Sequence, residues 1–230
     1  MIKKGSEYFI NAQIQIAYIL EKHKKYGEAI DVLQKALQEE KKAIELYLML
    51  SSIFETINEY QKAMVVINEG LNQDNKNTEL IFRLGVVQDK SGDKDKAIDQ
   101  MRRILEIDPD HADALNYIGY TYAEQGIKLN EAMDLIQKAL KIKPDSGYII
   151  DSLGWVFFQR GEYEKALVSL KKAFSIIPND PTITEHLGDA YFKIQEYEKS
   201  LEMYKKALSL KHMDEEKIKV KIREVEKLLK

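Results

Sequence analysis

The residues that could take part in chemistry are scattered along this sequence. Four histidines are present, at His23, His111, His186 and His212. No two of them lie three or four positions apart, so they form no metal-binding pair on one helix face. Ser152 lies in Asp151-Ser152-Leu153-Gly154, which lacks the leading glycine and the strand of a nucleophile elbow. No Gly-x-x-x-x-Gly-Lys-Ser/Thr phosphate loop occurs.

The remaining candidates are carboxylates and single histidines. Asp108 and Asp110 flank Pro109 in a turn, where His111 is predicted to cap a helix or to lie at the surface. Carboxylates that transfer protons need an enclosed environment that perturbs their pKa, and a turn does not provide one. The sequence therefore predicts no catalytic residue, no metal site and no cofactor, and it predicts that the protein is not an enzyme.

The composition narrows the classes of partner. The 230 residues carry 35 basic and 38 acidic side chains, a net charge of −3, and no cysteine. Without cysteine there is no disulfide framework, iron–sulfur site or thiol nucleophile. A near-neutral chain argues against binding to a phosphate backbone, so no nucleic-acid partner is expected. No apolar run reaches eighteen residues, so the sequence predicts no membrane insertion.

The elements that position these side chains are indicated by a regular spacing of small residues. Pro109, Pro144 and Pro178 are 35 and 34 residues apart, and Gly85, Gly119, Gly154 and Gly188 follow at 34, 35 and 34. Another column of small residues reads Ala29, Ala63, Ala97, Ala132, Ala166 and Ser200. A period of this length is typical of a repeat architecture, in which each repeat is one supersecondary unit.

Each repeat is predicted to be a pair of helices. In the fifth repeat, Ala166, Leu170 and Ala173 are spaced four and three apart, which is a helical stripe and not a strand alternation. Gly161 marks the turn between the two helices, and Pro178 ends the second one. Small residues in the glycine and alanine columns are expected where the two helices approach closely.

The period divides the chain into six repeats and a C-terminal helix. The repeats run at about 10–43, 44–77, 78–111, 112–146, 147–180 and 181–214. The fourth has one extra residue in its lengthened turn, at 126–130. Residues 214–230 carry apolar side chains at Ile218, Ile222, Val225 and Leu229, so they are predicted to form a capping helix. We expect residues 1–230 to form a single domain.

These columns resemble the tetratricopeptide repeat (TPR), with the clearest match in the last three repeats. Its pattern is carried by Leu153-Gly154 with Phe157, Tyr163, Ala166, Leu170, Ala173 and Pro178, and by Leu187-Gly188 with Tyr191, Tyr197, Tyr204 and Ala207. Departures include Lys41 and Asn75 in the proline column and Ser200 in the alanine column. The resemblance implies an all-α, right-handed α-solenoid of six helix-turn-helix units with a C-terminal capping helix.

The strings Leu115-Asn116-Tyr117-Ile118-Gly119-Tyr120 and His186-Leu187-Gly188-Asp189 also resemble the C-terminal repeats of longer bacterial TPR proteins. This resemblance implies a bacterial source and further sequence before the first repeat. Residues 1–5 do not look like a signal peptide. The expected compartment is the cytoplasm by default, or the periplasm if the chain is a piece of an exported protein.

In the resembled family, the first helix of each repeat lines the concave binding face. The acids at the corresponding positions here are Glu21, Glu45, Glu55, Glu79, Asp89, Asp113, Glu124, Asp151, Glu185 and Asp189, against the bases Lys22, Arg83, Lys90 and Lys193. Ten acids against four bases predict an acidic face. Its C-terminal half is also aromatic, and the predicted groove residues are Tyr117, Tyr120, Tyr148, Asp151, Trp155, Phe158, Glu185, Asp189 and Phe192.

The sequence thus predicts a non-catalytic scaffold or adaptor that binds a protein or peptide with apolar and basic side chains. Two alternatives remain open at this point. The exposed first repeat could pair with another chain, which would make the protein a self-assembly element. The chain could also be an accessory subunit that presents a partner enzyme such as a processing protease. The aromatics could instead pack against neighbouring repeats, with the acids solvated.

Overall fold

The computed structural model describes residues 7–212 and 214–230, which form thirteen helices and no strand. The helices are α1 Glu7–Lys22, α2 Tyr26–Glu39, α3 Ile44–Thr56, α4 Tyr60–Gln73, α5 Thr78–Lys90, α6 Lys94–Ile107, α7 Ala112–Glu124, α8 Leu129–Ile142, α9 Gly147–Gln159, α10 Tyr163–Ile176, α11 Pro181–Lys193, α12 Tyr197–Ser209 and α13 Glu215–Leu228. The expectation about a signal peptide concerns residues 1–5, which lie outside the described residues.

The helix order confirms the predicted class: an all-α chain of six helix pairs followed by a C-terminal helix. The chain divides into two compact units, one ending at Pro109 and the other beginning at Asp110. In both units, the two helices of a repeat pack along each other, and the first helix of a repeat also packs against the second helix of the repeat before it. That all residues belong to a single domain stays a prediction.

Side-chain caps fix where several helices begin. The Asp180 carboxylate accepts hydrogen bonds from the backbone N–H groups of Thr182 and Ile183, just before Pro181 in the first turn of α11. The His111 Nδ1 accepts from the Ala114 N–H at 3.2 Å, which confirms the predicted capping role of this histidine. These caps satisfy N–H groups that have no partner inside the helix.

The turn inside each repeat needs a left-handed residue, which explains the glycines there. Gly92 and Gly161 have φ of +95° and +76°. At the equivalent position of other repeats, Lys24, Asn58 and Gln195 adopt φ of 59°, 60° and 63° without being glycine. The turn geometry is therefore kept in repeats that lack the glycine, at some cost in backbone strain.

Close contact between the two helices of a repeat accounts for the small-residue columns. The side chains of Ala29, Ala63, Ala97, Ala132, Ala166 and Ser200 are fully buried. A Cβ placed on Gly154 of α9 would lie 2.6 Å from Cγ of Leu170 on α10. The equivalent atom on Gly119 would lie 2.7 Å from Cγ1 of Ile136. Both helix pairs are thus as close as a glycine allows.

We expect Gly154→Ala to lower the free energy of unfolding by about 1–3 kcal/mol, because the added methyl group overpacks against Leu170. Gly27→Ala in α2 is the control. No atom lies within 4 Å of the Cβ it would add, so it should be neutral or stabilising by up to about 1 kcal/mol. Urea unfolding followed by circular dichroism measures both. A Gly154→Ala protein as stable as Gly27→Ala would show that the helix pair can separate freely.

Candidate binding surface

The nine predicted groove residues all lie on the first helices of the last three repeats, in the unit that begins at Asp110. Helix α7 carries Tyr117 and Tyr120, helix α9 carries Tyr148, Asp151, Trp155 and Phe158, and helix α11 carries Glu185, Asp189 and Phe192. Helix α9 packs against both α7 and α11, so residues at repeating positions are brought side by side.

A buried ion pair lies at the centre of this surface. The Nδ1 of His186 on α11 lies 3.0 Å from Oδ2 of Asp151 on α9, and both side chains are buried. Sequence reasoning left His186 out of the predicted site. Its spacing of 35 residues from Asp151 was the available signal, since residues one repeat apart lie on adjacent first helices.

The aromatic side chains stack on this pair. The indole of Trp155 lies 4.0 Å from the His186 ring and nearly parallel to it. The ring of Phe158 stacks on the same indole at 4.7 Å, and the ring of Tyr120 lies 6.3 Å from that of His186. The structure thus brings Tyr120, Asp151, Trp155 and Phe158 together around a histidine.

The environment of His186 favours its charged form. Burial alone would lower the pKa of His186, but the Asp151 carboxylate outweighs it through its charge and hydrogen bond. The carboxylates of Asp189 and Glu185 act in the same direction, and the pKa is raised above 6.5. The Asp151 carboxylate therefore favours the charged imidazolium, whose ring stacks against the face of Trp155.

The other two predicted acids are paired with cations of the C-terminal segment. The Glu185 carboxylate lies 3.0 Å from Nζ of Lys217 and 2.8 Å from Nε2 of His212, and it also accepts from Lys221. Burial alone would raise the pKa of Glu185, but Lys221 and Lys217 outweigh it and lower that pKa from 4.5 to about 2. The carboxylate is thus fully ionised in the folded protein.

Asp189 is held from two sides. It accepts a hydrogen bond from the Tyr204 hydroxyl at 2.6 Å and pairs with Lys221. Burial raises the pKa of Tyr204, and the negative charge of Asp189 raises it further, so the phenol stays a donor. All three predicted acids, Asp151, Glu185 and Asp189, are therefore buried and paired within the chain instead of facing open solvent.

The aromatic residues differ in how far they reach the surface. Tyr148 is 58 % exposed, whereas Tyr117, Tyr120, Trp155 and Phe158 are partly buried. Phe192 is partly buried against Tyr204 and the α13 side chains Ile218 and Val225, and so belongs to the contact with the C-terminal helix. We call Tyr120, Tyr148, Trp155 and Phe158 the aromatic surface.

This geometry defines a helical-hairpin repeat protein whose first helices share a polar and aromatic face. Sequence models described as tetratricopeptide repeat match residues 20–85, 82–147 and 185–211, and one described as TPR repeat matches 154–195. Together they cover most of the chain, which belongs to the tetratricopeptide repeat family. Proteins of this family are protein–protein interaction scaffolds and are generally non-catalytic.

Solved structures of similar fold come from several bacteria. A tetratricopeptide repeat protein from Parabacteroides merdae is 18 % identical with a TM-score of 0.67, and the match covers 95 % of this chain and 99 % of that one. A thermophilic TPR protein from Thermus thermophilus is 20 % identical with a TM-score of 0.66, and the match covers 80 % of this chain and 98 % of that one. PilF of Pseudomonas aeruginosa is 20 % identical with a TM-score of 0.62, and the match covers 80 % of this chain and 89 % of that one. No curated protein is significantly similar in sequence.

The described residues were also compared with the requirements of a metal site and of a membrane-spanning helix. Among residues 7–212 and 214–230, no cluster of histidine and carboxylate side chains has the arrangement of a metal site. None of the helices described above combines the length and the apolar character that crossing a bilayer requires.

The buried ion pair predicts a pH dependence of stability. Its contribution is complete below pH 6.5 and is lost as the pH rises through the raised pKa of folded His186. As the pH rises from 6.5 through this raised pKa, we therefore expect the free energy of unfolding of the wild type to fall relative to that of His186→Gln. Urea unfolding measures both. Trp155, the only tryptophan, stacks on His186, so its fluorescence is a second readout.

The matched control for this titration is His23→Gln, which removes an exposed histidine in a turn. Its stability should follow that of the wild type at every pH. A difference between the wild type and His186→Gln that stays constant over the whole range would contradict the charged state assigned to His186.

Proposed function

We propose that the protein is a non-catalytic scaffold that binds a segment of a partner protein on the aromatic surface. The observation that carries this proposal is the stack of Phe158, Trp155 and His186, with the exposed ring of Tyr148 seven residues before Trp155 on the same helix. Tryptophan and tyrosine are the side chains most often found as energetic anchors in protein interfaces.

The stack favours a partner with apolar side chains. The ion pair with Asp151 holds His186 in place, and His186 in turn orients the indole, so Trp155 loses little freedom when a partner binds. The Nε1 atom of Trp155 is buried and has no hydrogen-bond partner among the described residues. The indole thus offers a partner its ring and not its N–H.

The electrostatic surroundings favour a basic partner. Burial raises the pKa of the Tyr120 phenol, and the negative charges of Glu124, Asp151 and Glu185 raise it further. Asp151 and Glu185 are already paired within the chain, so a cation that approaches Tyr120 would be attracted mainly by the exposed carboxylate of Glu124. A segment with apolar and basic side chains fits the aromatic surface better than an acidic one.

Trp155→Ala is expected to weaken partner binding by about 2 kcal/mol, because the central ring of the stack is lost. The partner is first captured by photo-crosslinking. Since the chain has no cysteine, a crosslinker can be placed on Tyr148→Cys alone, with Val168→Cys as the control. Val168 is 72 % exposed and lies on the second helix α10.

A partner crosslinked from position 148 and not from 168 is then titrated against the wild type and Trp155→Ala by calorimetry. Unchanged affinity together with a large loss of melting temperature would make Trp155 a core residue and contradict the proposal. If the captured partner is a processing protease, the chain serves as its accessory subunit.

A second function, self-assembly, is favoured by one observation on α1. Ile16 and Ile19 are 44 % and 55 % exposed. In the next repeat the equivalent residues, Leu50 and Ile53, are buried. Two apolar positions that a neighbouring repeat covers elsewhere are thus open on α1 and could pair with a second chain.

If α1 mediates self-assembly, Ile16→Glu with Ile19→Glu should convert an oligomer into a monomer in light scattering, because the charges oppose burial of this face. The control is Val220→Glu, which places a charge on the exposed side of α13. A wild type that is monomeric at high concentration would contradict the self-assembly function and leave the scaffold proposal unaffected.

A further inference from the structure

The C-terminal helix α13 touches the first-helix face through cations. Lys217 and Lys221 lie one helical turn apart and both pair with Glu185 of α11. Lys221 also pairs with Asp189 and lies 5.4 Å above the ring of Tyr204. Next to the two lysines, Ile218 and Ile222 pack against the apolar cluster around Tyr204 and Phe192.

The apolar part of this contact is small. Only Ile218 and Val225 of α13 are buried. Helix α11, a first helix inside the repeat array, buries eight residues, which are Ile183, Thr184, Glu185, His186, Leu187, Gly188, Asp189 and Ala190. Since burial of apolar surface is the main stabilising contribution, α13 depends more on its ion pairs than α11 does.

Glu185 restricts what can cover it in place of α13. With α13 in place its side chain is only 3 % exposed, and Lys217 and Lys221 are two of the three side chains that pair with it. A helix that buried this carboxylate again without a cation would pay its desolvation cost with His212 as the one remaining partner among these three. A replacement for α13 must therefore bring its own positive charges to this position.

We propose that α13 is a displaceable helix that covers the part of the first-helix face beside the aromatic surface, and that a basic amphipathic helix of a partner takes its place. The displacing helix would carry two lysines or arginines four residues apart with an apolar residue after each, as Lys217-Ile218 and Lys221-Ile222 do in α13. This inference rests on the proposed function, because it takes the first-helix face to be a site for protein segments.

The test uses a fluorescent peptide with the sequence of residues 214–230 as the probe and the full chain as the receptor. The variant Lys217→Glu with Lys221→Glu reverses both cations, so α13 is repelled from Glu185 and Asp189 while these acids remain. We expect it to bind the peptide at least tenfold more tightly than the wild type does, as measured by fluorescence anisotropy.

The matched control is Lys219→Glu with Lys227→Glu, which makes the same charge change on α13. Lys219 pairs with Glu215 and Glu216 of its own helix. Among the described residues, no ion pair joins Lys219 or Lys227 to α11. This control should bind the peptide as weakly as the wild type. Adding Glu185→Gln and Asp189→Asn to the released variant should abolish the gain.

Hydrogen exchange reports on α13 directly. In the released variant, the amides of α13 should lose protection while those of α11 and α12 keep it. Retained protection of α13, or lost protection without tighter peptide binding, would overturn the proposal. A dimer that exchanges α13 between two copies would also overturn it, since the displacing helix would then not come from a partner.

The wild type provides a measurement that does not depend on the variant folding. Saturating peptide should lower the protection of α13 amides in the wild-type chain, and an unchanged exchange rate would overturn displacement. Within the aromatic surface, Phe158 lines a cavity together with Lys221 and Glu224 of α13, whereas Trp155 stacks on Phe158 and His186. Trp155→Ala should therefore bind the peptide normally. Loss of partner binding in Trp155→Ala therefore tests the proposed function separately from the inference about α13.

Discussion

Close approach of the two helices within each repeat is the constraint on which the rest of the structure depends. A Cβ on Gly154 would lie within 2.6 Å of Leu170, and one on Gly188 within 2.7 Å of the Tyr204 ring. This contact fixes how far each first helix is rotated about its axis. The same positions in successive repeats therefore point to the same side, and residues such as Asp151 and His186 meet across adjacent first helices.

The period and the helix pairs could be predicted from the sequence, because close packing and left-handed turns restrict residue type. The Ala29 to Ser200 column is buried throughout, and Gly92 and Gly161 occupy turns with positive φ. The first two repeats give a weaker signal because Lys24 and Asn58 adopt the same φ as these glycines. The left-handed turn is thus kept at these positions although the residue is not glycine. A search for glycine alone misses such turns.

The candidate site was less predictable, since its electrostatics depend on contacts that do not follow the period. The sequence placed Asp151, Glu185 and Asp189 on the first-helix face, but counting charges could not show which cations reach them. Lys217 and Lys221 come from α13, which lies outside the repeat pattern, and His212 from the segment before it. That the face as a whole is acidic stays a prediction.

Neutralisation within the chain changes what the acids can contribute to binding. A buried carboxylate that already has a cation gains little from a second one, because the desolvation cost of the new charge offsets the added attraction. In the proposed binding, Asp151 and His186 therefore contribute by holding Trp155 and Phe158 in position, and not as direct contacts to a partner. Glu185 and Asp189 differ from Asp151, since their cations stand on a helix that buries only two residues. Their charge is available to a partner to the extent that α13 can leave.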